Sequence, residues 1–259
     1  MSPRARAEAR DSPPDRAAVR TMLRRLRSRF GPLDPPLVRD PLEELILTVL
    51  SQNTSDVNRD RAFASLRATF PAWEDVAAAR ISQIAAAIKP GGLSNVKAPR
   101  IKAILREIEE RQGSLDLSWM HDATDEQVTE YLSDLPGVGP KTVACVLAFS
   151  LRRPALPVDT HVYRVAERLG FFPPKTSTAA AHAILATAVP AKDRVEFHVG
   201  LIRLGREICR PGRPRCEICR LQELCPTPRG SWGRSAPPGG RRPAVRGTSP
   251  ARGCFPPNP

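Results

Sequence analysis

The apolar positions of this chain recur at helical rather than strand spacing. A helix start is predicted at Asp40, which is followed by Pro41 and, three positions after Asp40, by Glu43. Apolar side chains then recur three and four residues apart up to Leu50. Thr124 opens a second capping box, and few segments alternate apolar and polar residues over a strand length. The pattern therefore predicts an all-α array of short helices, over residues 42–50, 73–88, 98–112, 124–135, 140–151, 160–169, 177–188 and 193–207.

Composition predicts a polar tail at each end of the chain. Residues 1–16 and 227–259 are poor in core-forming side chains, and the second stretch has eight Pro, six Gly and six Arg but no acidic residue. Such composition is typical of disorder. We therefore expect disordered tails at 1–16, which is basic, and at 227–259, with the helices packed in the region between them.

The charge of the chain favours a polyanionic partner. The formal net charge is +13, and neutralising phosphates releases counterions. A GC-rich genome would also raise the Arg content, so charge alone leaves nucleic-acid binding open. No apolar run is long enough to span a membrane, and the N-terminus lacks the apolar stretch of a signal peptide. We expect a cytoplasmic protein with no membrane contact.

The string LPGVGPKT at residues 135–142 joins two predicted helices. Gly137 and Gly139 permit a tight turn whose amides can bind a DNA phosphate without reading sequence. An ordinary turn between helices also uses Pro and Gly, but the complete string favours DNA binding. The residues predicted to contact DNA here are Gly137, Val138, Gly139 and Thr142.

Two further residues are candidates for catalysis, each with an ordinary alternative. Lys141 lies in the first turn of the second helix, where the helix dipole disfavours a positive charge. Its neutral amine could form a Schiff base with a sugar C1′, although a surface lysine or a phosphate contact is the alternative. Asp159 precedes a helix and could cap it, or it could stabilise positive charge at C1′. The residues alone leave these alternatives open.

Four closely spaced cysteines predict a metal centre. Cys209, Cys216, Cys219 and Cys225 give the pattern C-x6-C-x2-C-x5-C, and the lack of a secretory signal argues against disulfides. Zinc sites usually show two C-x2-C pairs, whereas this chain has one, so the spacing favours a structural [4Fe–4S] cluster. The guanidinium groups between the first two cysteines, Arg210, Arg213 and Arg215, are predicted phosphate contacts.

The chain resembles the endonuclease III family of helix-hairpin-helix (HhH-GPD) DNA glycosylases over residues 20–226. The resemblance rests on three motifs in this order: LPGVGPKT, VDTHVYRV and the four-cysteine loop. The resemblance implies a two-domain all-α fold with DNA in the cleft: a six-helix domain at 40–153, and an iron–sulfur domain made from 17–39 and 154–226. It also implies that Lys141 is the nucleophile, that Asp159 is the catalytic carboxylate and that the four cysteines hold a [4Fe–4S] cluster.

The same resemblance implies two DNA-contacting loops. Residues 50–56 are similar to the segment that fills the gap left by a flipped base, which makes Gln52 and Asn53 DNA contacts. The family usually has Ala-Gln there, a difference that bears on base preference. Gly92-Leu93 is similar to the wedge that enters the base stack. Ser94 replaces a usual Tyr, and inward packing of Leu93 is the alternative.

The function that the resemblance implies is excision of oxidised pyrimidines from duplex DNA by a monomeric glycosylase and abasic-site lyase. The damaged base is flipped out, Asp159 supports its departure, Lys141 captures C1′, and β-elimination nicks the strand. The alternatives are a monofunctional mismatch glycosylase for uracil, thymine or adenine, a non-catalytic iron–sulfur DNA-binding module, and a zinc-stabilised nucleic-acid-binding protein. The adenine-specific branch lacks the lysine, and binding alone needs neither Lys141 nor Asp159.

Overall fold

The computed structural model describes residues 13–35 and 37–227, and over these residues it contains helices and no β-strand. The all-α prediction is confirmed for this part of the chain, in which no helix is both long enough and apolar enough to cross a membrane. The α-helices are α1 (Arg16–Phe30), α2 (Pro41–Ser51), α3 (Asp56–Thr69), α4 (Trp73–Ala78), α5 (Ile81–Ala87), α6 (Ser94–Gln112), α7 (Asp125–Ser133), α8 (Pro140–Cys145), α9 (Thr160–Arg168), α10 (Thr178–Ala188) and α11 (Arg194–Glu207). A π-helical turn, Val146–Ser150, continues α8.

The predicted capping residues begin two of these helices. Asp40 Oδ1 accepts a hydrogen bond from the Leu42 amide at 2.8 Å at the start of α2. Thr124 and Gln127 form a reciprocal capping box at the start of α7, with bonds of 3.2 and 2.9 Å. Each satisfies amides that have no partner inside the helix. The sequence therefore identified these helix starts by their chemistry.

Other helix boundaries differ from those predicted. The single helix expected at 73–88 is two, because Ala79 and Arg80 are extended and the Gln83 side chain accepts the Arg80 amide at 2.9 Å. Helix α6 begins at Ser94 rather than residue 98, since Leu93 takes a left-handed conformation and its carbonyl accepts the amides of the next turn.

Two helices, α1 and α3, were not predicted at all. Helix α3 buries completely only Ala62 and Leu66, so its apolar repeat is too short to recognise. Helix α1 begins at Arg16, where the carboxylate of the extended Asp15 caps it, so Arg16 is helical and Asp15 is a helix cap rather than tail. Residues 13 and 14 precede α1 without regular secondary structure. The tail predictions for 1–12 and 228–259 fall outside the described residues, while the Thr227 hydroxyl donates to the Arg168 carbonyl at 2.8 Å.

Buried apolar side chains form two main clusters. The first lies between Leu42 and Leu147 and belongs to helices α2 to α8. The second combines α1 with side chains between Leu156 and Leu221. Arg206 of α11 forms a two-pronged ion pair with Asp56 at the start of α3, and thereby joins the two groups of helices. The division into domains at 40–153 and at 17–39 with 154–226 stays a prediction.

Candidate active site

A cavity of about 820 Å³ opens where α2, α8 and the start of α9 approach one another. Lys141 and Asp159 both line it, as do Gln52 and Asn53 from the segment after α2. The sequence singled out each of these residues separately, and the fold brings them to one cavity. Other side chains on its wall are Glu44, Thr48, Ser51, Cys145, His161 and His198.

The Lys141 amine is held at the C-terminal end of α2. Its Nζ donates to Ser51 Oγ at 3.3 Å, and that hydroxyl donates to the Thr48 carbonyl at 2.7 Å. In the part of the chain that the structure describes, Lys141 forms no ion pair with a carboxylate. The half-buried amine is therefore positioned by the Ser51 hydroxyl and lies beside the Cys145 thiol, and it is available to a molecule in the cavity.

Asp159 is a helix cap and also a wall of the cavity. Its Oδ1 accepts hydrogen bonds from the amides of His161 at 2.9 Å and Val162 at 2.7 Å. Both bonds go to the same oxygen. The other carboxylate oxygen, Oδ2, has no hydrogen bond to any residue within 13–35 or 37–227. The two alternatives that the sequence left open are thus compatible, because one oxygen caps α9 and the other is available to a ligand.

A buried histidine that the sequence analysis missed supports the Asp159 segment. His198 of α11 donates from Nδ1 to the Pro157 carbonyl at 2.7 Å, and its ring packs on Phe149 with centroids 5.5 Å apart. Burial lowers the pKa of His198 to about 4, so the ring is neutral near pH 7. Its spacing in an apolar helix is that of an ordinary core residue, and no sequence signal marked it.

The hairpin presents backbone rather than side chains. Gly137 adopts a left-handed φ of 75°, and Val138 and Thr142 are buried, so they can reach DNA only through their main chain. Their amides already bond to the carbonyls of Leu135 and Gly139. Among the described residues, the amides of Gly137 and Gly139 have no protein acceptor, which leaves them free for a phosphate.

Arg100, which the sequence analysis also missed, connects this hairpin to the segment after α2. Its Nη1 donates to Gln52 Oε1 at 2.6 Å. Its Nε lies 2.5 Å from where a Cβ on Gly137 would stand, so only glycine allows this approach. Arg100 therefore holds Gln52, the predicted gap-filling residue, by a hydrogen bond while its side chain packs against Gly137 of the predicted phosphate-binding turn.

The loop predicted to act as a wedge projects from the surface. Leu93 has a φ of 50° and its side chain is 52% exposed, so the alternative that it packs inward is wrong. Lys97 anchors the loop from below: its buried Nζ donates to the carbonyls of Leu50 at 2.8 Å and Gly91 at 3.1 Å. Asn53 is exposed and also left-handed, with a φ of 53°.

Comparison with known proteins assigns the chain to a family. Residues 46–191 match the family described as HhH-GPD superfamily base excision DNA repair protein. This match covers more than half of the 259 residues. The chain belongs to the HhH-GPD superfamily.

Its relatives place it more narrowly. Endonuclease III of Thermotoga maritima is 36% identical over 186 residues, which are 72% of this chain and 83% of that protein. An Arabidopsis thaliana relative whose name assigns it to the DNA glycosylases is 42% identical over 161 residues, which are only 54% of its own length. A solved trapped endonuclease III–DNA covalent intermediate is 29% identical with a TM-score of 0.70, over 82% of this chain and 96% of that one. Within the superfamily the chain falls in the endonuclease III family of DNA glycosylases.

Two of the four cysteines, Cys209 and Cys225, contact the buried Arg168. Arg168 Nη1 donates to Cys209 Sγ at 3.2 Å, and Cys225 Sγ donates to the Arg168 carbonyl at 3.2 Å. Burial raises the pKa of the Cys219 thiol to about 11, and it raises the pKa of Cys216 and Cys225 as well. A thiol gives up its proton when it binds a metal ion, so the positive charge of a bound metal would offset this effect of burial.

The arrangement bears on which group the cysteines would hold. Within the described residues, no three His, Cys, Asp or Glu side chains are placed to hold one metal ion. The thiols are therefore not arranged here as a zinc site or as a cluster site, and the [4Fe–4S] assignment stays a prediction. The donor set, four thiols from residues 209–225, fits the chemistry of an iron–sulfur cluster. The predicted phosphate contacts Arg210, Arg213 and Arg215 are all exposed on this loop.

Proposed function

We propose that the chain is a bifunctional DNA glycosylase and abasic-site lyase that removes oxidised pyrimidines from duplex DNA. The observation that carries the proposal is the shared cavity, in which the Lys141 amine has no carboxylate partner among the described residues and Asp159 has an uncommitted oxygen. The covalent complex formed with DNA by the similar endonuclease III supports the lyase half of the proposal.

The residues of the cavity divide the reaction between them. The free amides of Gly137 and Gly139 bind a backbone phosphate, while exposed Leu93 enters the stack and Gln52 and Asn53 fill the gap left by the flipped base. Asp159 stabilises the positive charge that develops at C1′ as the base leaves. Lys141 Nζ then bonds to C1′ as a Schiff base, and β-elimination breaks the strand on the 3′ side.

The loop at residues 209–225 completes the DNA-binding surface. Cys209, Cys216, Cys219 and Cys225 would hold a [4Fe–4S] cluster, which supplies structural support for a segment too short for its own core. Exposed Arg210, Arg213 and Arg215 then meet the DNA backbone. We further propose that the protein acts as a monomer on DNA in the cytoplasm.

A panel of lesion-containing duplexes, scored separately for base release and strand nicking, tests the proposal. Borohydride should trap a covalent complex with the wild-type protein but not with Lys141→Gln, which should still bind the duplex. Lys192→Gln is the matched control, because Lys192 is exposed and lies outside the cavity. A trapped complex at wild-type yield with Lys141→Gln would assign the chemistry to another amine, and base release without nicking would favour a monofunctional glycosylase.

A further inference from the structure

Glu44 is a buried carboxyl on the cavity wall for which the chemistry above has no use. It lies in α2, one turn before Thr48, and its side chain is 5% exposed. Thr48 Oγ1 donates a hydrogen bond to Glu44 Oε1 at 3.2 Å. Glu44 Oε2 is buried and has no hydrogen-bond partner among residues 13–35 and 37–227. One oxygen of this carboxyl is therefore left unsatisfied by the protein.

The groups around Glu44 bear on its protonation state. Burial raises the pKa of Glu44, while the Thr48 hydrogen bond and positive charges nearby lower it, and the net shift is upward. The titratable and charged groups that face it are Arg39 before α2, Arg59 of α3, and Lys141 and Cys145 of α8. None of the ion pairs in the described residues includes Glu44. The carboxyl therefore keeps its proton more readily than an exposed glutamate does.

The position of that proton follows from the hydrogen bonds. Glu44 Oε1 already accepts from Thr48, so the O–H of the protonated carboxyl belongs on Oε2. A buried donor without an acceptor is costly, and such groups in folded proteins are often completed by a ligand. The molecule that enters the cavity is the available source of the missing acceptor.

Glu44 lies on the same face of α2 as the residue that holds the Lys141 amine. Glu44, Thr48 and Ser51 lie on this face, and Ser51 holds the Lys141 amine. Seven residues of helix separate Glu44 from Ser51, which is about 10 Å along the axis. The base of a nucleotide whose C1′ meets Lys141 can extend along this face of α2 towards Glu44.

We propose that Glu44 is a further catalytic residue, which donates its Oε2 proton to the departing base. The inference rests on the proposed glycosylase function. As the C1′–N bond breaks, its electron pair stays on the base, and the proton moves from Oε2 to a ring nitrogen or carbonyl oxygen of that base. The lone pair of the Lys141 nitrogen forms the new bond to C1′. Glu44 remains as a carboxylate, and solvent reprotonates it after the base has left.

The test compares a duplex containing the base that the wild-type protein releases best with the same duplex containing an abasic site. Glu44→Gln should slow single-turnover base release by about 10²-fold or more, yet nick the abasic duplex at the wild-type rate, because no base remains to be protonated. Glu43→Gln is the matched control: it removes the neighbouring carboxylate of α2, which lies outside the cavity lining. Base release at the wild-type rate by Glu44→Gln, or an equal loss on both duplexes, would overturn the proposal.

The pH profile of base release gives a second, independent readout. Base release by the wild-type protein should fall as pH rises through the pKa of Glu44. Thr48→Val removes a hydrogen bond that lowers this pKa, so the falling limb should move to higher pH, whereas nicking of the abasic duplex should keep its profile. An unmoved limb would contradict the role of Glu44 even if Glu44→Gln proved unstable. A wild-type protein that released no base from any duplex would instead overturn the proposed function, and this inference with it.

Discussion

Replacing Asp159 with Asn should separate the helix cap from the chemistry. Both cap hydrogen bonds, from His161 at 2.9 Å and Val162 at 2.7 Å, end on Oδ1. An Asn side chain in the same rotamer keeps an oxygen at this position and places its NH₂ group where Oδ2 was. We therefore expect the free energy of unfolding to fall by less than about 1 kcal/mol, whereas Asp159→Ala, which loses both bonds, should cost about 1–2 kcal/mol.

The effect of the same change on base release should be far larger. In the proposed mechanism, Asp159→Asn removes the negative charge that stabilises C1′ as the base departs, and loss of such a preorganised group typically slows the chemical step by about 10²-fold or more. On an abasic duplex the base is already absent. Asp159→Asn should therefore retain more nicking activity there than Lys141→Gln, since only the nucleophile is still essential.

Two measurements check this pair of expectations. Denaturant unfolding of the wild-type protein, Asp159→Asn and Asp159→Ala gives the cap energies, and single-turnover assays on lesion and abasic duplexes give the catalytic ones. Normal base release by Asp159→Asn would reduce Asp159 to a helix cap. Unfolding of Asp159→Asn as easily as Asp159→Ala would show that the oxygen at Oδ1 is not what holds the start of α9.

Three further predictions concern residues around the cavity and the cysteine loop. Arg100→Ala should weaken binding to lesion duplexes, because it removes the side chain that holds Gln52 beside the hairpin, while its denaturant midpoint of unfolding should stay near that of the wild type. Titration of fluorescent duplex checks the affinity. Unchanged affinity would remove Arg100 from the DNA-binding surface. Purified protein should absorb broadly at about 400 nm, as expected for thiolate-ligated iron, and Cys216→Ala should lose that absorption band. Elemental analysis that finds zinc and no iron would refute the cluster. The folded-state pKa of His198 is depressed to about 4, so the folded state binds fewer protons than the unfolded state. The free energy of unfolding should therefore decrease as pH falls from about 6.5 towards 4. His198→Asn should flatten this part of the plot of unfolding free energy against pH, and an unaltered slope would count against the buried neutral ring.

The helical class and much of the local chemistry could be predicted from the residues and their spacing alone. Capping at Asp40 and Thr124 depends on neighbours within four residues, so the sequence alone predicts it. The left-handed turn at Gly137 is local in the same way, because it depends on the absence of a Cβ. Lys141, Asp159 and the cysteines could be named because their motifs are contiguous and specific.

Which residues come into contact depends on the packing of the folded chain and could not be predicted from the sequence. Glu44 has the spacing of an ordinary first-turn acid, yet it lies on the cavity wall because α2 packs against α8. Arg100 and His198 act on Gln52 and on the segment before Asp159, which are 48 and 41 residues away from them along the chain. Helix α3 was invisible to periodicity, since few of its side chains are buried. Contacts of this range depend on how helices pack, and packing is a property of the whole core rather than of any local stretch of sequence.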